Sequence, residues 1–164
     1  MKTAVIYQII LTKIDKLKKD VARRKRFEPF TKSTPSKMSD AYWRDVWGEN
    51  MSGYQAERDK FRDNPKHYKH LSSRQLVAHS LGLQTQAKKK NKKPALVYIY
   101  GDNEVDSPVK VTKDAIKNHA IEIKEFALSV SGDEVRFEHL TYREWVQSYS
   151  LPHTDRLISI YNLI

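Results

Sequence analysis

The chain has 164 residues, 39% of them hydrophobic and 30% charged, and its 30 Lys and Arg against 20 Asp and Glu leave a net charge of +10. That length is enough for one domain with a buried core, and the aromatic content, 10%, argues against a disordered chain. The absence of cysteine excludes disulfides, thiolate zinc sites and cysteine nucleophiles, while the basic excess favours a polyanionic partner, nucleic acid ahead of an anionic membrane surface.

In chain order, residues 3–21 place Val5, Ile6, Ile9, Ile10, Leu17 and Val21 near helical spacing, which predicts a helix. The β-branched cluster AVIYQIIL is equally able to begin as a strand. The same apolar run is too short for a membrane span, and Gln8 and Lys13 break it before any cleavage-site pattern. The protein is therefore expected to be soluble and cytoplasmic, with no membrane contact. Residues 31–39 form a loop by composition. From Ser39, a plausible N-cap, short helices are expected, because Gly48 and Gly53 interrupt the segment. Ser72 and Gln75 have the spacing of a capping box at the start of a long helix whose apolar face is Leu76, Val77 and Leu81. That helix runs into Lys88, Lys89 and Lys90, and cations are favourable at a helix C-terminus. Beyond Pro94, ALVYIY reads as a buried strand. Thr112 caps a second long helix with Ile116, Ala120, Ile123, Ala127 and Val130 inward. The strand EVRFEHL follows, with Val135, Phe137 and His139 alternating on one face. Thr141 and Glu144 form another capping box, and RLISIYNLI predicts a short C-terminal helix within residues 149–164. The order of helices and strands predicts an α/β domain with few strands.

Several motifs occur in one order: KRFEPF, AYWRDVWG, QLVAHSLGL, ALVYIY, NHAIEIKEFALSVSG and VRFEHLTYREW. In that order they resemble the later two-thirds of a group of PD-(D/E)XK restriction-endonuclease-like proteins. The resemblance covers residues 23–148; residues 1–22 match nothing in it. It implies a three-layer fold, truncated or modified, in which a few-stranded sheet is flanked by helices. It also implies a DNA endonuclease in which an Asp and a Glu-x-Lys bind Mg²⁺, whose coordinated water has a lowered pKa. Lys25 corresponds to the lysine of that motif, and Glu28 and Phe30 to the extension after it. Gln75 and His79 correspond to a Gln-x-x-x-Tyr on the following helix, with His in place of Tyr. The position two before Lys25 is Arg23, not Glu, and no upstream strand brings the Asp; Asp15 and Asp20 stand in lysine-rich, helix-like surroundings. A carboxylate-to-guanidinium exchange removes a ligand and reverses the charge beside the dication. Glu28 alone is a weak metal ligand, because Mg²⁺ is usually held by one or two carboxylates together with substrate phosphates.

Two functions follow as expectations. One is a metal-dependent nuclease, active or catalytically incomplete, with Lys25, Glu28, Gln75 and His79 at its site and Mg²⁺ as cofactor. The other is a non-enzymatic basic module that binds DNA or a partner subunit. In either case the phosphate contacts fall to Arg23, Arg24, Arg26, Lys88, Lys89, Lys90, Lys92 and Lys93. The plainer readings are a solvated helix end for Arg23, Arg24, Lys25 and Arg26, a solvated loop for the lysines, and a hydrogen-bonded pair at the core rim for Gln75 and His79. His119 with Glu122 has metal-pair spacing, but a solvent-facing pair is expected. Trp43 and Trp47 are expected as core anchors, and Asp102 and Glu104 as a turn. A shortened sheet would expose an edge, through which two chains could pair.

Overall fold

A computed structural model describes residues 5–11, 38–101 and 112–148. Three parallel strands, β1 (Val5–Leu11), β2 (Lys93–Tyr100) and β3 (Arg136–Thr141), form a sheet in the order β1-β2-β3. The register pairs Val5 with Lys93 and Leu11 with Ile99, and on the other side Ala95 with Arg136 and Tyr100 with Thr141. Val5–Leu11 is thus a strand, the alternative that its β-branched cluster left open, and not the start of the expected helix. Four of its seven residues are Val or Ile, whose branched side chains suit a pleated strand better than a helix. Residues 12–21 lie outside the described residues.

Between β1 and β2 come a 3₁₀ turn (Asp40–Trp43), α1 (Ser52–Asp63) and α2 (Ser73–Lys90); α3 (Lys113–Ser129) joins β2 to β3, and α4 (Tyr142–Ser148) follows β3 at once. Both crossovers step across the sheet in the same direction, so connections of one hand fall on one face. There Leu96, Tyr98 and Tyr100 pack with Leu76, Val77 and Leu83 of α2 and with Ile123 and Phe126 of α3. Ile99 and Leu140 meet Tyr142 and Trp145 of α4 in a smaller cluster. The described residues therefore form a mixed α/β unit with a sheet between helices.

Local signals account for most boundaries. Ser39 accepts from the Ala41 N–H, and the Thr112 hydroxyl accepts from the Ala115 N–H at 3.1 Å. Thr141 and Glu144 form the reciprocal capping box: the Thr141 N–H donates to the Glu144 carboxylate at 2.7 Å, and the Glu144 N–H to the Thr141 hydroxyl at 3.1 Å. Ser72 and Gln75 do not. Ser72 has φ −82° and ψ 72° and makes no side-chain cap bond. Gln75 turns instead toward His79, and the chain entering α2 is tied elsewhere: the Glu122 carboxylate accepts from the N–H groups of Lys69, His70 and Leu71 at 2.7–2.8 Å.

The α3 face is also rotated from the expected one. His119, Ile123, Phe126 and Val130 are buried, while Ile116, Ala120 and Ala127 are half-buried. The large Phe126 ring sets the orientation by packing edge-on to Phe137, Tyr54 and Tyr68. Trp47 is a core anchor as expected, donating its indole N–H to the Tyr42 carbonyl at 2.9 Å. Trp43 is only half-buried, with the Arg58 and Arg62 guanidinium groups 5.2 and 5.4 Å from its ring.

α2 ends in a Schellman turn. Asn91 adopts the left-handed conformation (φ 48°), its N–H donates to the Lys88 carbonyl at 3.3 Å, and the Lys92 N–H donates to the Ala87 carbonyl at 3.0 Å. Asn is the non-glycine residue that best tolerates this region. Asn91→Ala is expected to lower stability by about 1 kcal/mol and Asn91→Gly to leave it nearly unchanged, measured by urea unfolding.

Candidate functional site

The site residues expected from sequence fall into three groups. Arg23, Arg24, Lys25, Arg26 and Glu28 lie outside the described residues, as do Asp15, Asp20, Asp102, Glu104 and residues 149–164. Gln75 and His79 sit together on α2, Gln75 exposed and His79 half-buried, with Nε2 to Nε2 at 3.5 Å. Burial lowers the His79 pKa from its ordinary value, which keeps the imidazole neutral near pH 7. The lysines form the third group. Lys88, Lys89 and Lys90 close α2, Lys92 follows the turn and Lys93 opens β2; all five are exposed.

The second and third groups are at opposite ends of the sheet. Helix α2 packs on β2 and β1 and reverses into β2 through two residues. Gln75 precedes Lys90 by fifteen residues, about 22 Å along a helix axis, and the eight residues of β2 span about 26 Å. Gln75 therefore stands about level with Tyr100 and His79 one turn below it, toward the carboxyl end of the strands, where ligands of open α/β sheets usually bind. The lysines surround the amino end of β2.

The carboxyl end also gathers aromatic and imidazole side chains. Tyr98 and Tyr100 stack with centroids 5.9 Å apart, and the His119 ring meets both edge-on at 6.0 and 5.5 Å. The Tyr98 hydroxyl and His119 Nε2 are 3.1 Å apart. His139 lies 6.4 Å from Tyr100 across the sheet. Burial pushes the His119 pKa down to about 4, with His70 adding to the effect, and burial raises that of Tyr98. His119 and Glu122 are thus not the solvent-facing pair expected: His119 is 1% exposed in the core, and Glu122 ties the loop before α2. Among the described residues no three His, Asp or Glu side chains assemble a donor set for a metal ion. Gln75 and a neutral imidazole are a poor match for Mg²⁺, which prefers carboxylate oxygen and water. The described residues do not make a Mg²⁺ site.

The cations differ sharply in their partners. On α1, Arg58 pairs with Asp59, Arg62 with Asp59 and Asp63, and Lys60 with the fully buried Glu57 at 2.7 Å and with Glu125 at 3.4 Å. His67 meets the same Glu125 at 2.6 Å. No carboxylate among the described residues forms an ion pair with any of the five lysines around Asn91. Lys88 reaches over the neighbouring loop, where a Cβ at Gly48 would lie 2.9 Å from its ammonium.

The sequence did not reveal the Tyr98–His119 contact or the arginines over Trp43. Alternation in ALVYIY was a signal for the first, since it puts Tyr98 and Tyr100 on one face; the second joins segments with no shared pattern. Comparison with protein families, curated proteins and solved structures returned no match.

Proposed function

We propose that this chain is a DNA-associated domain on a restriction-endonuclease-like scaffold, one that holds a nucleic-acid backbone through Lys88, Lys89, Lys90, Lys92 and Lys93 and is catalytically incomplete. The supporting observation is that these five lysines are exposed, close in sequence around the turn at Asn91, and not neutralised by carboxylates of the described residues, whereas the cations of α1 are paired. Lysines act on phosphates as point charges, so the binding is strong at low salt and indifferent to base sequence. Arg23, Arg24 and Arg26, which lie outside the described residues, add to the basic charge of the chain.

The test is fluorescence anisotropy with a short DNA duplex over a salt series. Log affinity is expected to fall linearly with log salt, and Lys88→Ala, Lys89→Ala and Lys90→Ala together to reduce the slope by roughly 3. Binding unaffected by salt, or an unchanged slope in the triple variant, overturns the reading.

A second reading, retained nuclease activity, is favoured by the Gln75–His79 pair at the carboxyl end of the sheet. In that case Lys25 and Glu28, which lie outside the described residues, would complete the site; Glu28 would help to hold Mg²⁺, and the ion would supply Lewis-acid chemistry at a phosphate. Plasmid nicking that requires Mg²⁺ or Mn²⁺ and is lost in Lys25→Ala and in His79→Ala would establish it. Binding without nicking leaves the first reading.

A further inference from the structure

We propose that β3 is a self-association edge, and that two copies of the chain join their sheets by pairing β3 with β3 antiparallel about Phe137. Among the described residues β3 is hydrogen-bonded to β2 on one side only. An open edge is normally blocked by charges that repel a second copy. Here the charges are self-complementary. Arg136 and Glu138 flank Phe137, both are exposed, and in the single chain they pair with each other at 2.9 Å. A two-fold axis through Phe137 sets Arg136 of each copy opposite Glu138 of the other, giving two cross-strand ion pairs, and sets the two half-buried Phe137 rings opposite each other. A one-residue slip in register would oppose unlike faces and lose both features.

The helix above the edge fits the same partner. At about 100° per residue, Ala120, Lys124 and Ala127 share one flank of α3. The opposite flank carries Glu122 and Glu125, which meet the loop before α2 and Lys60 of α1, so this flank faces away from those helices. Ala120 and Ala127 are half-buried and small, so a symmetry-related α3 can approach closely. Joining the edges would cover this apolar surface and continue the sheet across both copies. Nothing in this pairing depends on DNA binding.

The experiment is sedimentation equilibrium of the full chain with a charge-exchange set. The unaltered protein is expected to be dimeric at high micromolar concentration. Arg136→Glu and Glu138→Arg should each weaken the dimer by about tenfold or more, since each places like charges opposite one another. An equimolar mixture of those two variants should dimerise, because the acidic edge then meets the basic one, and so should the chain carrying both exchanges. Rescue in the mixture can come only from folded chains, so it separates lost association from lost folding. A monomeric unaltered protein, single variants that dimerise as well as the parent, or a mixture that stays monomeric would each overturn the proposal.

Discussion

Replacing Gly53 by alanine is expected to destabilise the protein by about 3 kcal/mol, at the upper end for overpacking a rigid site. Gly53 lies in the first turn of α1 against the end of α3. A Cβ there would sit 2.3 Å from the Ser129 carbonyl oxygen and 2.8 Å from the Val130 Cα. Both obstacles are backbone, so no rotamer change relieves them, and α1 must move away. That movement also breaks its cap. The Asp133 carboxylate accepts from the Gly53 and Tyr54 N–H groups at 3.1 and 2.8 Å, satisfying donors that a helix N-terminus leaves open. Gly82 is the control. It is a helical glycine where an added Cβ would meet no atom within 4 Å, so Gly82→Ala is expected to stabilise by up to about 1 kcal/mol. Urea unfolding of the two variants at constant m-value decides the matter; a Gly53→Ala protein as stable as its parent would mean that α1 and α3 do not approach as described.

The second large effect is on acid stability. His119 is 1% exposed, and burial, with the nearby His70, takes its pKa from 6.5 to about 4. The unfolded chain therefore takes up a proton below pH 6.5 that the folded chain resists until about pH 4. Folding stability falls as pH falls through that window and then levels, by about 3 kcal/mol in all. His79 and His139, whose pKa values burial also lowers, act in the same direction more weakly. The carboxylates act at lower pH. Glu144 is held below its ordinary value by the Thr141 N–H, and in Glu125 burial works upward but the His67 and Lys60 partners outweigh it. His119→Gln, which keeps a hydrogen-bonding group near the Tyr98 hydroxyl, is expected to flatten the dependence of stability on pH between 6.5 and 4. An unchanged slope in that variant would show that His119 is accessible to protons in the folded state.

What was legible in the sequence was whatever short-range chemistry carries. The ALVYIY run, the Thr112 cap, the Thr141–Glu144 box and the short helices after Ser39 depend on residues within a few positions of one another, and each is present. The same local logic failed where tertiary contacts compete. Ser72 and Gln75 have the spacing of a box, but Glu122, some fifty residues away in sequence, holds the N–H groups of the preceding loop. Residues 3–21 left helix and strand both open, and the seven parallel pairings of Val5–Leu11 along β2 decide for the strand.

The candidate site divides in the same way. Charge and the Gln75–His79 spacing are properties of the chain, and both were visible in it. Their separation to opposite ends of the sheet follows only from the reversal at Asn91, which lays α2 back along β2. Sequence also marked His119 as a potential ligand, because spacing on a helix says which residues share a flank but not which flank is buried. The packing of Phe126 against Phe137 turned that flank inward and placed His119 on the Tyr98 hydroxyl. By itself the sequence determined the α/β class, the net basic charge and the caps at Thr112 and Thr141, since these need only composition and neighbouring residues. The tertiary structure decided which polar groups are buried, which cations of the described residues meet a carboxylate and which edge stays open among them, because each depends on contacts between residues far apart in the chain.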